Sequence, residues 1–225
     1  MLPLLCLDNV TAGYGEKIVI KDFSLTVNKG DHILLLGPNG SGKTTLFRLI
    51  LGIIPPMKGK VEYPMGRSVS YARQDPPSSP FPISVEEVVE MGLWKSGRDR
   101  EKSINEALEM TDALRLKKRL FHSLSGGERQ RVSLSRCLAQ NSPLILLDEP
   151  SSFLDRESRD SFISLMEKVA TKDRAIIAIT HDSTVIDRLG WKEVNLERCL
   201  IASKMTTMPD FIEHRKTHQT YMENI

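Results

Sequence analysis

Gly37-Pro38-Asn39-Gly40-Ser41-Gly42-Lys43-Thr44 matches G-x-x-x-x-G-K-[ST], the pattern of a loop that cradles phosphates. Upstream, His32-Ile33-Leu34-Leu35-Leu36 is a short apolar run that predicts a buried strand. Downstream, Thr45-Leu46-Phe47-Arg48-Leu49-Ile50-Leu51 predicts a helix. Strand, glycine loop and helix is the context the pattern needs. Gly37, Gly40 and Gly42 let the backbone turn tightly and aim its N–H groups inward. The helix start adds positive potential where phosphates would sit. Lys43 supplies a point charge for the β and γ phosphates, and the Thr44 hydroxyl suits a magnesium ion. The expectation is a nucleoside triphosphate site on an α/β core.

A second apolar run, Leu144-Ile145-Leu146-Leu147, ends in Asp148-Glu149. Two carboxylates at the carboxyl end of a buried strand sit where α/β sheets bind ligands. Asp148 suits magnesium, directly or through water, and Glu149 suits a water aimed at the γ phosphate. Arg174 to Thr180 predicts another buried strand, with His181-Asp182 at its end. A lone histidine is usually structural, but this one points at the same crevice. Leu124-Ser125-Gly126-Gly127-Glu128 contains S-x-x-E, so a helix starts here and runs to about Ala139. Its two glycines make either a second anion-binding element or an ordinary capped start.

The 225 residues are 40% hydrophobic with a net charge of +2, which suits one globular domain and gives no support for a nucleic-acid surface. Cys6, Cys137 and Cys199 are far apart, with no C-x-x-C. That argues against a zinc site or a disulfide framework and for a reducing compartment, with Cys137 a helix residue. No apolar run reaches the length of a membrane span, and Met1 to Leu5 lacks the features of a signal peptide.

Leu4 to Val10 and Ile18 to Val27 read as strands around a turn at Thr11-Ala12-Gly13-Tyr14-Gly15. Tyr14 is either a packing residue or an aromatic free to stack on a purine. Gly59 to Tyr63 and Ser68 to Ala72 predict two short strands. Gln74 to Pro82 holds four prolines, an extended connector between two lobes. Ser84-Val85-Glu86-Glu87 is a capping box, and a second helix is expected from about Arg100 to Ala113. Residues 83–122 thus read as a helical insertion. Arg156 to Ala170 predicts a helix, and Glu193 to Leu196 with Cys199 to Ala202 a closing hairpin.

Together these residues resemble the ATP-binding subunit of ABC transporters, in the family's order from about residue 4 to 202. Leu124-Ser125-Gly126-Gly127-Glu128 is similar to the family signature, a more discriminating match than the phosphate loop. The resemblance implies a P-loop core of ABC ATPase type with an antiparallel β lobe and a helical subdomain at 83–122. The whole of 1–225 would be a single domain with a variable tail at 204–225. It implies ATP and Mg2+ as cofactors. By position, Tyr14 resembles the adenine-stacking aromatic. Gly37, Pro38, Asn39, Gly40, Ser41, Gly42, Lys43 and Thr44, continued by Thr45, resemble the Walker A loop. Gln74 resembles the glutamine that touches magnesium and senses the membrane subunit. Asp148 resembles the Walker B aspartate, Glu149 the catalytic glutamate, Asp155 the D-loop aspartate and His181 the switch histidine.

The resemblance also implies a head-to-tail homodimer in which Ser125, Gly126 and Gly127 of one copy complete the site of the other. The partners expected are transmembrane permease subunits and, through them, a solute-binding protein. There would be no nucleic acid and no membrane insertion of the chain itself. The location implied is cytoplasmic, on the inner face of the cell membrane. Phe153 and the Ala72-Arg73 pair depart from the family's usual choices but remove no catalytic group.

Phe81 to Gly92 resembles the zinc and manganese importer ATPases, which makes metal-ion uptake the first expectation, metal-chelate uptake (iron-siderophore or cobalamin) the second and another small-solute importer the third. A soluble ABC ATPase of iron–sulfur cluster assembly or DNA repair is the alternative from another class. The repair enzymes carry a long coiled coil, whereas only about 80 residues separate Thr44 from Leu124, without heptads. The tail holds Glu213, His214 and His218; a solvated terminus is expected there before a metal site.

Overall fold

Ile33 to Leu35, Leu144 to Leu147 and Ala175 to Ile179 show no polar–apolar alternation because both faces of their sheet are covered. The computed structural model describes residues 2–73, 82–93, 99–152 and 154–196. In chain order the elements are β1 (Leu5–Tyr14), β2 (Lys17–Val27), β3 (His32–Leu36), α1 (Lys43–Ile50), β4 (Lys58–Glu62), β5 (Val69–Ala72) and α2 (Val85–Glu90). Then follow α3 (Arg100–Met110), α4 (Gly126–Ala139), β6 (Leu144–Asp148), α5 (Arg156–Val169), β7 (Ala175–Ile179), α6 (Ser183–Leu189) and β8 (Lys192–Asn195).

Two sheets result. One is antiparallel, in the order β2-β1-β4, and the other is parallel, in the order β5-β6-β7-β3-β8. Period-two alternation along the parallel strands sorts their side chains into two cores. Leu34, Ile145, Leu147, Ile176 and Ala178 face α2 to α5. Ile33, Leu35, Leu144, Leu146, Ile177 and Ile179 face α1 and the antiparallel sheet. This is the α/β architecture expected from the sequence, a parallel-sheet core with an antiparallel lobe and a helical insertion. Among the described residues, no helix is long and apolar enough to cross a membrane.

Two local expectations need correction. Thr11 to Tyr14 is strand, and the turn shrinks to Gly15-Glu16, because Gly13 pairs with Ile18 and Tyr14 with Lys17. A Cβ at Gly13 would come within 2.0 Å of the Lys17 carbonyl oxygen. That glycine marks a close approach of backbones rather than a turn. The helix expected to reach Ala113 stops at Met110. There the Thr111 hydroxyl donates back to the carbonyls of Ala107 (3.3 Å) and Leu108 (3.2 Å), and Asp112 turns left-handed at φ 53°. The strand at Lys192–Asn195 forms and runs parallel to β3, while the second arm of the expected hairpin, Cys199 to Ala202, lies outside the described residues. Helix α6 was not anticipated. Asp182 caps its start and Gly190, at φ 55°, ends it, a bracket readable in the sequence.

Both expected capping boxes form, at Ser84/Glu87 and Ser125/Glu128. Cys137 is buried on α4, and burial pushes its thiol up to about 11, which removes it as a nucleophile at neutral pH.

Candidate functional site

Strands β6, β7 and β3 lie side by side and parallel, so their carboxyl ends open onto one crevice. The loop after β3 wraps the start of α1. Gly42, at φ 100°, is the last residue before that helix, and a side chain there would press on Val19 at 3.1 Å. No side chain caps α1, and no acid stands in its first turn, so its positive end is left for a ligand. Lys43 folds back over the loop. Its Nζ donates to the carbonyls of Gly37 (2.6 Å) and Pro38 (3.0 Å), and the residue is only 7% exposed.

Asn39, Gly40, Gly42, Lys43, Thr44 and Thr45 line a cavity of about 300 Å³ with Asp148 and Glu149. The phosphate loop and both strand-end carboxylates therefore share one site. Tyr71 on β5 donates its hydroxyl to Asp148 Oδ2 at 2.9 Å. Burial raises the Asp148 carboxyl above its ordinary range, the Tyr71 hydrogen bond opposes the rise, and the neighbouring Glu149 adds to it. Burial, then Asp148 itself, holds the Tyr71 phenol protonated far above neutral pH. Sequence reasoning missed Tyr71; an aromatic on a short apolar strand gives no local signal of a polar partner 77 residues away.

Glu149 sits in left-handed backbone at φ 46°, which in a non-glycine residue costs roughly 1–3 kcal/mol. Its N–H donates to the Ile179 carbonyl at 3.0 Å, tying the end of β6 to the end of β7. The Ser152 hydroxyl donates to Oε2 at 2.8 Å, and His181 Nδ1 lies 3.4 Å from Oε1. A second cavity of about 260 Å³ adjoins the first through Glu149. Ser151, Ser152, Arg159, Thr180, His181 and Asp182 complete its lining.

Tyr14 is 43% exposed at the end of β1. Arg48 of α1 donates to its hydroxyl at 2.8 Å, and hydrogen bonding to Thr45, helped by Arg48, lowers the phenol's pKa. The side chain is therefore not the packing residue that a lone tyrosine by default would be. Its ring is presented beside α1.

Ser125, Gly126 and Gly127 line neither cavity. They form the capped start of α4. Glu128 N–H donates to Ser125 Oγ at 3.3 Å, and Ser125 N–H to Glu128 Oε2 at 3.1 Å. The Ser125 bond, then Arg119 and Arg115, hold the Glu128 carboxyl below its usual range. Asp155 caps α5, accepting from Ser158 N–H and Oγ, both at 2.9 Å, and also stands outside the cavities. Gly127 lies close to that Ser158, so the two helix starts are neighbours. Gln74, His214 and His218 lie outside the described residues.

Residues 20–152 match the family model described as ABC transporter. The chain belongs to the ABC transporter family. It is an ABC-type ATPase, the ATP-hydrolysing kind of subunit. A "Zinc import ATP-binding protein ZnuC" of Anaplasma phagocytophilum (strain HZ) is 31% identical over 100% of this ABC ATPase and 92% of its own length. Among solved structures, the chain is similar to part of an inward-facing metal-chelate type ABC transporter. That match has a TM-score of 0.76 and 32% identity, covering 87% of this chain and 80% of that one. It is also similar to an ATP-binding cassette in a dimeric post-hydrolysis state with ADP and phosphate. Here the TM-score is 0.68 and the identity 27%, over 80% and 89% of the two chains.

The crevice also fits the magnesium that this family implies. The Thr44 hydroxyl and Asp148 carboxylate are hard oxygen donors facing one cavity, with Asp148 held in place by Tyr71.

Proposed function

We propose that this ABC ATPase binds ATP across the phosphate loop, hydrolyses it at Glu149, and powers uptake of a metal ion, zinc first and manganese second. The observation that carries the catalytic reading is the single cavity shared by Lys43, Thr44, Asp148 and Glu149. The phosphates lie against the loop N–H groups and Lys43, in contact with Gly37 to Thr45, and adenine stacks on Tyr14. Thr44, Asp148 and Gln74 would hold Mg2+, which would supply positive charge to offset that of the phosphates. Glu149 orients a water and accepts its proton as the water oxygen bonds to the γ phosphorus and the bond to the bridging oxygen breaks. His181, beside Glu149, contacts the γ phosphate. Two copies meet head to tail, and Ser125, Gly126 and Gly127 of each complete the other's site, with Asp155 at the junction.

In this reading 1–225 is one domain, 83–122 its helical subdomain and 204–225 a variable tail. Permease subunits hold the chain on the inner face of the membrane and connect it to a solute-binding protein. The name of the zinc-import relative supports zinc. The metal-chelate transporter at 32% identity supports a chelate importer as the second reading.

Cellular metal content tests the proposal, comparing wild type with Glu149→Gln in metal-poor medium by elemental mass spectrometry. Zinc is expected to fall severalfold while other elements hold. An unchanged profile with the variant expressed would remove the metal assignment. A fall in iron or cobalt alone would transfer it to a chelate.

A further inference from the structure

Arg159 belongs to neither the phosphate loop nor the strand-end acids, yet it touches both loops that carry hydrolytic groups. It stands in the first turns of α5, its N–H bonded to the Asp155 carbonyl at 2.9 Å. Its Nη2 donates to the Leu154 carbonyl at 3.3 Å, on the loop that leads from Glu149 to Asp155. Its Nε forms an ion pair with Asp182 Oδ2, next to His181, at 3.1 Å but without hydrogen-bond geometry. Asp182 uses its other carboxylate oxygen to accept the Thr184 N–H at 2.9 Å, and its own N–H donates to Thr180 Oγ1 at 3.1 Å. Arg159 and Asp182 line the same cavity as Glu149 and His181.

A guanidinium is a rigid fork with donors on separate nitrogens, so one head can hold acceptors on two elements; an ammonium is a single point charge. Docking α5 on α6 does not require this fork. At the far end of α6, Arg188 already bridges the two helices, to Asp160 at 3.1 Å and to Ser164 Oγ at 3.2 Å. What Arg159 adds is a link between loops.

We propose that Arg159 is a positioning residue for hydrolysis, locking the loop after β6 to the loop after β7 so that Glu149 and His181 keep their mutual setting. The proposal rests on the reading of Glu149 and His181 as the hydrolytic pair. With the fork in place, the two loops move as one body. Without it, the loops are joined only at their roots, by the Glu149 N–H on the Ile179 carbonyl and the Glu149–His181 contact.

The test uses the purified full chain and four variants: Arg159→Gln, Arg159→Lys, Arg188→Gln and Glu149→Gln. Steady-state ATP turnover gives kcat and KM, and hydrogen exchange follows Leu154–Ser158 and Thr180–Thr184. Arg159→Gln is expected to lower kcat about tenfold, the scale of one charge-assisted hydrogen bond, with KM for ATP within about twofold. Exchange should quicken in both segments together. Arg159→Lys should fall between it and wild type, and it decides the matter if the glutamine variant does not fold. Arg188→Gln should leave kcat within about twofold, because its bridge touches neither loop. An unchanged kcat in Arg159→Gln beside an inactive Glu149→Gln would overturn this proposal alone. Equal losses in Arg159→Gln and Arg188→Gln would reduce Arg159 to helix docking. Full turnover in Glu149→Gln would bring down the hydrolytic reading, and the proposal with it.

Discussion

The chain has two glycine-rich helix starts, and they are built in opposite ways. At α1 the glycines leave the helix end without a side-chain cap or an acid, and a cavity of about 300 Å³ stands in front of it. At α4 the Ser125 hydroxyl accepts the Glu128 N–H and the Glu128 carboxylate the Ser125 N–H, Arg115 and Arg119 offset the Glu128 charge, and the start lines no cavity. One start is therefore open to a ligand within the chain. The other is capped by its own side chains and faces no cavity of this chain, so any ligand role at Ser125 needs a second molecule brought up to it.

That contrast predicts its largest effect at Lys43. The side chain is pinned to two carbonyls of its own loop and is almost wholly buried, so its charge is fixed before any phosphate arrives. Lys43→Ala is expected to weaken ATP binding about 100-fold, or about 3 kcal/mol, by isothermal titration with magnesium present. Binding within twofold of wild type would show that the open helix start does not need the cation, and that the reading of the loop is wrong.

The second start should respond through stability. Ser125→Ala removes an N-cap, with an expected cost of about 1 kcal/mol in chemical denaturation. ATP affinity of the isolated chain should stay within about twofold, because the residue lines neither cavity. A large loss of affinity in a chain held monomeric would erase the distinction between the two starts.

The same contrast explains what could be read before the fold was known. The phosphate loop, β6 with its acids and both capping boxes are local patterns: each needs only neighbours within about four residues, and each formed where expected. Gly13 deceived because a glycine demanded by an approaching strand looks the same in sequence as one demanded by a turn. The bracket of Asp182 and Gly190 was legible but framed only seven residues, too few for a helical period to stand out. Tyr71 and Arg159 were out of reach. Their partners, Asp148 and Asp182, lie on other elements, and only the strand order brings them together.

Tyr71 offers an effect no larger than that at Ser125 and confined to higher pH, and its pH dependence separates charge from packing. Asp148 has a raised folded pKa, so the folded chain binds that proton more tightly than the unfolded chain does. Its unfavourable contribution is absent below the unfolded value of 3.8. It grows as pH rises towards the raised folded value and is constant above it. The Tyr71 hydroxyl favours the ionised carboxylate, so Tyr71→Phe should raise the folded pKa further and extend the decline upward. The variant should match wild type near pH 4 and lose about 1 kcal/mol relative to it near pH 8, read from thermal melts across that range. A gap that stays constant with pH would assign Tyr71 to packing against Phe47, whose ring meets it edge-on at 6.0 Å, and would leave Asp148 indifferent to its only described hydroxyl donor.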